Sequence, residues 1–366
     1  MNPELLREAI ELARQGQGRT SPNPLVGAVL ERDGSVVGRG FHTWAGLDHA
    51  EVVALREAGE AARGATLYIN LEPCSHQGRT GPCADALIAA GVRRVVAAMQ
   101  DPNPRVRGEG FRRLRSAGVE VTLADDFAGE AEKLNEPFVH FMRTGRPLVT
   151  LKAALTLDGK IAAPEDNVGW ITSEKARAHV QQVRHASDAI LTGIGTVLAD
   201  NCHLTDRTGL ERSRPLLRVV LDSQLRMPLD SRMVTGCRSD LLIVTTSAAA
   251  AERRQAIESR GARVVVFDGA HGRTDLGLLV EYLAREQHLS LMVEAGSKVN
   301  WAFLEGGWAD KILFYYAPKI LGGLQSLPVA GGKGRRRRVD AIRFRGLTMH
   351  PIPPDEFAVE AFLVRD

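Results

Sequence analysis

The chain has 366 residues, a formal net charge of +3, 44% hydrophobic residues and 25% charged residues. This length allows two domains that each bury a core, and the composition is that of a soluble globular protein. The small net charge gives no reason to expect nucleic acid or a membrane surface as a partner, and no apolar stretch approaches the length of a membrane span.

The first half of the chain alternates between helical and strand patterns. An amphipathic helix over residues 3–15 comes first, and its Glu4, Glu8 and Glu11 interrupt any apolar run, which excludes a targeting peptide. Strands are predicted at 25–30, 35–40, 66–70, 92–99 and 119–123, and helices at 49–62, 85–90, 110–117 and 130–143. The alternation predicts a layered α/β domain with a largely parallel sheet.

A turn at residues 144–147 marks the predicted boundary between a domain of residues 1–145 and a domain of residues 146–366. In the second half, Asp158 and Gly159 predict a hairpin turn after the first strand. A helix is predicted at 173–184, with strands at 148–155, 189–192, 217–221, 241–245, 263–267, 290–293 and 311–316. The pattern indicates a second α/β domain.

Four residue positions form the strongest chemical pattern: His49 with Glu51, then Cys74 after a proline, then Cys83. Two thiolates and one imidazole supply three ligands of a tetrahedral zinc ion and leave the fourth position open for water, as catalytic sites do. Glu51 follows the histidine at a helix start, where it can move protons without binding the metal. We therefore predict that His49, Cys74 and Cys83 bind Zn²⁺ and that Glu51 is the catalytic residue.

Other interpretations of these residues stay open. His76 could complete a purely structural zinc site, or the cysteines could be buried spectators beside a surface His49. Catalysis is favoured because several required groups coincide with the expected local structure. Cys202 and Cys237 are isolated and are interpreted as small apolar residues, so the chain lacks a disulfide pattern and a reducing cytoplasmic compartment fits it.

The His-x-Glu and Pro-Cys pattern resembles the cytidine-deaminase-like superfamily. That superfamily usually has a short Pro-Cys-x-x-Cys, whereas a longer loop separates Cys74 from Cys83 here, with the following helix predicted to start at Asp85. The loop sequence Pro-Cys-Ser-His-Gln-Gly-Arg-Thr-Gly-Pro-Cys resembles the deaminase half of the bifunctional riboflavin-biosynthesis enzymes. Residues 20–29 and 38–42 resemble the same family.

The resemblance continues through the second half, in the deaminase-then-reductase order of the bacterial enzymes. Segments similar to the family's reductase half are 146–160, 169–173, 189–193, 195–200, 221–223 and 293–297. The family implies a cytidine-deaminase-like α/β/α domain followed by a dihydrofolate-reductase-like α/β domain. A non-Rossmann second domain agrees with the lack of a full Gly-x-Gly-x-x-Gly after a strand.

The resemblance implies two consecutive reactions on one phosphorylated pyrimidine. Zinc-dependent hydrolysis would deaminate 2,5-diamino-6-(5-phosphoribosylamino)pyrimidin-4-one, and NADPH would then reduce the ribosyl group to ribityl. The implied cofactors are Zn²⁺ and NADPH, and the implied partner is this small molecule, with neither nucleic acid nor a membrane. The family also suggests a homodimer formed through the reductase domain.

The family pattern assigns further residues to the two sites. Those assigned to the pyrimidine pocket are Asn23, His42, His76 and Arg79. Those assigned to the nicotinamide cofactor are Ala154, Trp170, Thr196, Asp200, Gly296, Ser297, Lys298, Val299, Asn300, Trp301 and Ala302. Those assigned to the phosphorylated substrate of the reductase are Arg184, Leu204, Arg207 and Glu294, of which the arginines suit a phosphate.

Structural roles are alternatives for several of these residues. Asn23 between two prolines could fix a turn, His42 could be a structural histidine, and Arg79 could be a solvated loop residue. Trp170 and Leu204 could belong to the core. Gly296 and Ser297 could form an ordinary loop.

Two positions depart from the family pattern, and two further readings compete with the family assignment. Val168 replaces a usual substrate-contacting serine, and Gly81 replaces a proline of the cysteine loop.

The basic run 335–338 is interpreted as a solvated loop. A deaminase of another base, nucleoside or tRNA adenosine is the first competing function, and an inactive pair of binding domains is the second. The long cysteine loop and the intact His49, Glu51 and cysteines argue against them.

Overall fold

The computed structural model describes residues 1–75, 81–104, 106–165 and 168–365. The chain divides into two compact units, Met1–Arg146 with Glu211–Arg214, and Pro147–Leu210 with Pro215–Asp366. Among the described residues, no helix is both long enough and apolar enough to cross a membrane.

The first unit is built around one sheet. Its strands are β1 (Gly27–Arg32), β2 (Ser35–Phe41), β3 (Thr66–Ile69), β4 (Arg94–Ala97) and β5 (Glu120–Leu123). Its helices are α1 (Pro3–Arg14), α2 (Ala50–Ala58), α3 (Cys83–Ala89), α4 (Glu109–Ser116), α5 (Ala128–Leu134) and α6 (Glu136–Thr144), and short 3-10 helices lie at Gly59–Ala62 and Asp125–Phe127. The strand order is β2-β1-β3-β4-β5.

The expectation of a largely parallel sheet is wrong for this unit. Strands β3, β4 and β5 are parallel, but β1 pairs antiparallel with both β2 and β3. The physical reason is the turn at Asp33 and Gly34, two residues with positive φ, which folds β1 and β2 into a hairpin. The sheet is therefore mixed. Its two parallel pairings join β3, β4 and β5, and Cys74 lies in the loop after β3.

Glycines let helices approach both faces of the sheet, which gives the predicted layered arrangement. A Cβ on Gly27 would lie 2.1 Å from the carbonyl oxygen of Ala9 in α1. A Cβ on Gly40 would lie 2.3 Å from the carbonyl oxygen of Ala50 in α2. Gly40 pairs with Ala28, whose side chain points to the face opposite Gly27. Helices α1 and α2 therefore cover opposite faces.

Two predicted helix boundaries differ from the structure. The single helix predicted over 130–143 is two helices, α5 and α6, because Asn135 turns its buried side chain to the backbone of Leu25. Helix α3 begins at Cys83, two residues before the predicted start at Asp85. The amide of Ala84 donates to the carbonyl of Cys74 (3.1 Å), which brings the first turn of α3 against the cysteine loop.

The second unit contains a larger sheet with helices on both faces, so the prediction of a second α/β domain is confirmed. Its strands are β6 (Leu148–Thr156), β7 (Lys160–Ala162), β8 (Ala189–Gly193), β9 (Leu217–Leu221), β10 (Leu241–Thr245), β11 (Arg263–Val266), β12 (Ser290–Val293), β13 (Lys311–Ala317), β14 (Leu327–Pro328), β15 (Phe344–Ile352) and β16 (Glu356–Leu363). Its helices are α7 (Glu174–Ala186), α8 (Ile194–Asp200), α9 (Arg232–Thr235), α10 (Ala251–Glu258), α11 (Leu276–Arg285) and α12 (Ser297–Glu305), with 3-10 helices at Ala270–Gly272 and Arg338–Asp340.

The main sheet of this unit has the strand order β11-β10-β9-β8-β12-β6-β13-β16-β15. The strands from β11 to β13 in this order are parallel, and β16 and β15 add an antiparallel edge. One core cluster contains Val180 of α7 and Val197 of α8, and the other contains Leu279 of α11 and Phe303 of α12. The parallel strands therefore end together at one edge between two helical layers.

The hairpin predicted at Asp158 and Gly159 is not formed. Strand β7 pairs antiparallel with β14 in a separate small sheet, while β6 pairs with β12 and β13. The carboxylate of Asp158 accepts hydrogen bonds from the amides of Leu321 (3.2 Å) and Gly322 (2.7 Å), which fasten this turn to the segment before β14.

Candidate active sites

Three side chains of the first unit converge from different elements. His49 is the residue before α2, Cys74 lies in the loop after β3, and Cys83 is the first residue of α3. His49 Nδ1 lies 3.2 Å from Cys83 Sγ and 3.6 Å from Cys74 Sγ. The backbone N–H of Cys83 donates to Cys74 Sγ at 3.3 Å. All three ligand atoms lie within 4.8 Å of one another.

This donor set fits a zinc ion. One imidazole nitrogen and two sulfurs are the ligands that zinc prefers among the common divalent ions, and three protein ligands leave one position for chemistry. Among the described residues, this is the group of histidine, cysteine and acidic side chains that is arranged to bind a metal. His49, Cys74 and Cys83 are thus brought together as the sequence predicts, and their ligand role stays a prediction.

Hydrogen bonds shift the pKa values of the two thiols in opposite directions. The bond from Cys83, together with the contact to His49, lowers the pKa of Cys74 to about 4 despite burial. The same bond to Cys74, together with burial, raises the pKa of the Cys83 thiol. A divalent cation within reach of both sulfurs would favour the thiolate form of each. A cation at this site would therefore offset the repulsion between two thiolates that lie close together, one of them on the buried Cys83.

Glu51 lies in the first turn of α2 and is buried, with 3% of its surface exposed. Its Oε2 atom has no hydrogen-bond partner among the described residues. Burial, followed by repulsion from the Cys74 thiolate, raises the pKa of Glu51 to about 7 from its ordinary value of 4.5. A buried carboxylate that has one oxygen without a partner among the described residues, and a pKa near neutrality, can both accept and donate a proton, as general acid–base catalysis requires.

Asn23 and His42 lie side by side next to the cysteine and histidine cluster. The Nδ2 of Asn23 is 3.2 Å from Nε2 of His42, whose Nδ1 is 3.1 Å from the carbonyl oxygen of Asp48. Burial lowers the pKa of His42, which keeps the ring neutral, so Nδ1 donates to the carbonyl and Nε2 accepts from Asn23. The rings of His42 and His49 lie 5.3 Å apart. The structure therefore brings Asn23 and His42 to the edge of the metal-binding group.

Two buried asparagines that sequence reasoning missed hold the loop of Asn23. The Nδ2 atoms of Asn70 and Asn135 each donate to the carbonyl of Leu25 at 2.9 Å, and Oδ1 of Asn135 accepts from the Leu25 amide. Asn70 also accepts from the amide of Gly27. The position of Asn70 directly after an apolar strand was the available signal, because a polar residue there is buried only when it is hydrogen-bonded.

Two predicted pocket residues, His76 and Arg79, lie outside the described residues. Gly81, the departure from the family pattern, is described and exposed, and a Cβ there would meet no atom of the described residues within 4 Å.

In the second unit, the predicted substrate residues Arg184 and Glu294 form a partly buried ion pair. Arg184 donates from Nε (2.7 Å) and Nη2 (3.0 Å) to the two carboxylate oxygens of Glu294. Lys152 of β6 also donates to Glu294, at 3.2 Å. These two cations overcome the effect of burial and lower the pKa of Glu294 to about 2. Sequence reasoning missed Lys152, because a lysine that alternates with apolar residues in a strand resembles a solvent-facing residue.

The predicted cofactor segment 296–302 forms the N-terminal part of α12. Gly296 is the residue before the helix, where backbone N–H groups are free to bind an anionic group. Ser297 Oγ, Asn300 Oδ1 and Trp301 Nε1 are buried and have no hydrogen-bond partner among the described residues. Unpartnered polar atoms beside a helix N-terminus fit a polar, phosphate-containing cofactor such as NADPH.

The other predicted cofactor residues lie on different parts of the second unit. Thr196 of α8 is near Gly296, since a Cβ on Gly296 would lie 3.9 Å from Thr196 Oγ1. Ala154 is on β6, and Asp200 is the last residue of α8. Trp170 is 67% exposed beside Arg177, whose guanidinium carbon lies 4.8 Å from the ring centre, so it is not a core residue.

Leu204 and Arg207 lie in one loop after α8. Leu204 is buried and has a φ of +53°, a left-handed conformation that a leucine rarely adopts. Arg207 is exposed, and its backbone amide donates to Oε1 of Gln181 at 2.9 Å. Val168, the other departure from the family pattern, is 93% exposed. The loop therefore carries an exposed arginine three residues after a buried leucine.

Two family models match this chain. One, described as the cytidine and deoxycytidylate deaminase zinc-binding region, matches residues 2–99, and the other, the RibD C-terminal domain, matches residues 147–352. The predicted fold class, a cytidine-deaminase-like α/β/α domain followed by a dihydrofolate-reductase-like α/β domain, is confirmed.

Similar proteins match the chain over almost its whole length. The riboflavin biosynthesis protein RibD of Actinobacillus pleuropneumoniae is 41% identical over 342 residues, which cover 93% of this chain and 90% of that protein. A structure of RibD from Acinetobacter baumannii is 36% identical, covers 99% of this chain and 98% of that one, and has a TM-score of 0.88. A diaminohydroxyphosphoribosylaminopyrimidine deaminase/5-amino-6-(5-phosphoribosylamino)uracil reductase structure from Thermotoga maritima is 34% identical, with coverages of 99% and 98% and a TM-score of 0.84.

Proposed function

The chain belongs to the RibD family of bifunctional riboflavin-biosynthesis enzymes, and we propose which substrates and residues it uses for the two reactions. It is a zinc-dependent hydrolytic deaminase joined to an NADPH-dependent reductase. We assign the deaminase to residues 1–145 and the reductase to residues 146–366. The observation that carries the assignment is the convergence of His49, Cys74 and Cys83 beside the buried Glu51.

The first reaction is the hydrolysis of the 2-amino group of 2,5-diamino-6-(5-phosphoribosylamino)pyrimidin-4-one. His49, Cys74 and Cys83 hold zinc, which supplies Lewis-acid activation of water when it is bound. Glu51 would accept a proton from the attacking water and deliver it to a ring nitrogen as the C–O bond forms. It would then take the proton of the new hydroxyl group and give it to the amino group, so that the C–N bond breaks, ammonia leaves and the carbonyl forms. The pKa of about 7 suits Glu51 to both transfers at neutral pH.

Asn23 and His42 border the pyrimidine. The amide nitrogen of Asn23 is engaged by His42, so its carbonyl oxygen is the group left to accept a hydrogen bond from an N–H of the substrate. The neutral His42 fixes that orientation because its ring tautomer is set by the carbonyl of Asp48. His76 and Arg79 are assigned to the same pocket on the family pattern.

The second reaction reduces the ribosyl group of the deaminated product to ribityl. NADPH supplies the hydride when it is bound. The cofactor residues are Ala154, Trp170, Thr196, Asp200 and the segment Gly296 to Ala302. The substrate residues are Arg184, Leu204, Arg207 and Glu294. The exposed guanidinium of Arg207 binds the ribose phosphate. Arg184 is instead paired with Glu294 and orients that carboxylate.

The test of this proposal follows the two half-reactions separately. Without NADPH, the purified zinc-loaded protein should release ammonia from the diaminopyrimidinone ribosyl phosphate. NADPH oxidation should then require the deaminated compound and should not occur with the diamino compound alone in a deaminase-inactive variant. Ammonia release from cytidine, adenosine or a free base instead of this substrate would contradict the proposal.

We also propose that the protein forms a homodimer through the reductase domain. Strand β15 is the edge strand of the larger sheet, and Phe344, Leu347 and Met349 on it are exposed. A long edge strand with exposed apolar residues usually needs a covering partner. Sedimentation equilibrium should give twice the chain mass, and Leu347→Lys should shift the distribution towards monomer.

The proposed location is the cytoplasm, a reducing compartment. Cys74 and Cys83 must stay reduced to bind zinc, and none of the four cysteines of the chain forms a disulfide. In an oxidising compartment their sulfurs would be oxidised. Fractionation of cells that make the tagged protein should recover it with cytoplasmic markers.

A further inference from the structure

Three successive residues of the loop after α8 are each bound by one side chain of α7. Gln181 lies three residues before Arg184 and four before His185, so both of these side chains neighbour that of Gln181 on the helix surface. The contacts join the carbonyl of Thr205 to Arg184 Nη1 (2.9 Å), Asp206 Oδ2 to His185 Nδ1 (2.8 Å) and the amide of Arg207 to Gln181 Oε1 (2.9 Å). The loop is thereby fastened to one rigid element over its central residues.

The contact between His185 and Asp206 is the buried one of the three. Their side chains are only 6% and 8% exposed. Asp206 Oδ1 also accepts from the amide (2.9 Å) and the hydroxyl (2.8 Å) of Thr208, which closes a tight turn. An ionised carboxylate only accepts hydrogen bonds, so His185 carries the proton on Nδ1 and donates it. Burial tends to raise the pKa of Asp206, but the hydrogen bonds from Thr208 and His185 hold it below its ordinary value of 3.8.

The loop needs such fastening because its conformation is not one that the chain adopts freely. Leu204 has a φ of +53°, and Asn201, the residue that follows α8, has a φ of +41°. A non-glycine residue in the left-handed region persists only when the surrounding structure holds it there. The α7 contacts follow Leu204 immediately and supply that restraint for the residues up to Arg207.

We propose that His185 and Asp206 are positioning residues for the phosphate-binding loop of the reductase. They fix the backbone at residues 205–207, so that the exposed guanidinium of Arg207 meets the phosphate of the substrate in one place. This inference rests on the proposed function, which assigns Arg207 to the phosphorylated substrate. His185 is the clearest member to test, because Arg184 also binds Glu294 and its removal would disturb that carboxylate.

The experiment is a double-mutant cycle between positions 185 and 207 in the full chain. His185→Leu removes the donor, whereas His185→Asn is the matched control, because its amide nitrogen can occupy the place of Nδ1. The readouts are the KM for 5-amino-6-(5-phosphoribosylamino)uracil at saturating NADPH, the kcat, and the Kd of NADP+ by calorimetry. Asp206→Asn provides a second break of the pair if His185→Leu does not fold.

His185→Leu should raise the KM about tenfold, the loss expected when a charge-assisted contact is misplaced, while kcat and the Kd of NADP+ stay within about twofold. His185→Asn should keep the wild-type KM. In an Arg207→Ala background, His185→Leu should have no further effect on KM, since the group that it positions is gone.

An equal rise of KM in both backgrounds would overturn the inference, because His185 would then act independently of Arg207. An unchanged KM in His185→Leu, or a parallel loss of NADP+ affinity and kcat, would overturn it as well. Absence of wild-type turnover would refute the proposed function together with this inference. Normal wild-type turnover with an unaffected His185→Leu variant would refute the inference alone.

Discussion

The carboxylate of Glu72 accepts a hydrogen bond from the backbone amide of Gly108 at 2.9 Å. The same carboxylate also accepts from the amides of Asp101 (3.1 Å) and Phe111 (3.2 Å), so it is a buried cap at the start of α4. Glu72 stands two residues before Cys74. Helix α4, which contributes none of the three converging side chains, therefore holds the start of the loop that carries Cys74.

Gly110 in α4 is the residue that permits this close approach. A Cβ at that position would lie 2.0 Å from the carbonyl oxygen of Pro73, so Gly110→Ala must displace the loop of Cys74. We expect a loss of stability of about 1–3 kcal/mol together with weaker zinc binding and slower deamination. Gly129→Ala is the matched control, because a Cβ there meets nothing within 4 Å in α5 and should be neutral or slightly stabilising. Equal effects of the two changes on zinc content would contradict the account.

Glu51→Gln should separate metal binding from proton transfer. The amide cannot accept the proton of the attacking water, so deamination should fall about 100- to 10,000-fold. Zinc content should stay at the wild-type level, because Glu51 is not among the three converging ligands. Metal analysis beside an ammonia assay makes the comparison. A variant that loses zinc would show that Glu51 is a ligand.

Cys83→Ser should lose zinc, since it replaces a soft thiolate by a hydroxyl that binds zinc poorly. A chelator should lower the Tm of the deaminase transition in the wild type and leave that of Cys83→Ser unchanged, because only a bound ion adds stability to the folded state. Cys237→Ser is the matched control, as Cys237 packs against the larger unit's core and not at the site. Retention of stoichiometric zinc in Cys83→Ser would exclude the ligand set.

Glu294→Gln should destabilise the second unit in a pH-dependent way. The pKa of Glu294 is about 2 in the folded protein and 4.5 ordinarily, so its ionisation stabilises the fold above pH 4.5, and this contribution is lost as the pH falls towards 2. At neutral pH we expect a loss of about 3 kcal/mol, because the change leaves the largely enclosed Lys152 and Arg184 without their anion.

Thermal unfolding of the two proteins from neutral to acid pH measures this difference. The stability difference between the wild type and Glu294→Gln should be constant down to about pH 4.5 and should shrink at lower pH. Glu258→Gln, which breaks an exposed pair with Arg254, is the control and should cost at most about 0.5 kcal/mol. A difference that grows in acid would contradict the assigned ionisation.

The convergence of His49, Cys74 and Cys83 could be predicted from the sequence because each belongs to a short local pattern. A histidine before a helix and a cysteine at a helix start are positions that sequence defines closely, and His49 and Cys83 occupy them. The layered α/β arrangement of both halves also followed from hydrophobic periodicity. Both depend on neighbours in the chain, which a sequence displays directly.

Long-range polar contacts could not be predicted in the same way. Lys152 alternates with apolar residues in β6 and resembles a solvent-facing strand residue, yet its partner Glu294 follows a strand that is distant in the sequence. Asn135 looks like a helix-interior residue until its contact with Leu25 is known. The edge strand β15 and its neighbour β16 were missed. Arg345 and Pro351 interrupt the apolar pattern of β15, and Glu356 and Glu360 interrupt that of β16.

The measurement that bears most directly on a two-reaction enzyme is the mass spectrum of the product. The zinc-loaded protein would be incubated with the diaminopyrimidinone ribosyl phosphate and NADPH, with Glu51→Gln in parallel. We expect replacement of one amino group by oxygen and the addition of two hydrogens in the wild type, and unchanged substrate with Glu51→Gln. Unchanged substrate from folded, zinc-loaded wild-type protein, or reduction without deamination, would contradict the account.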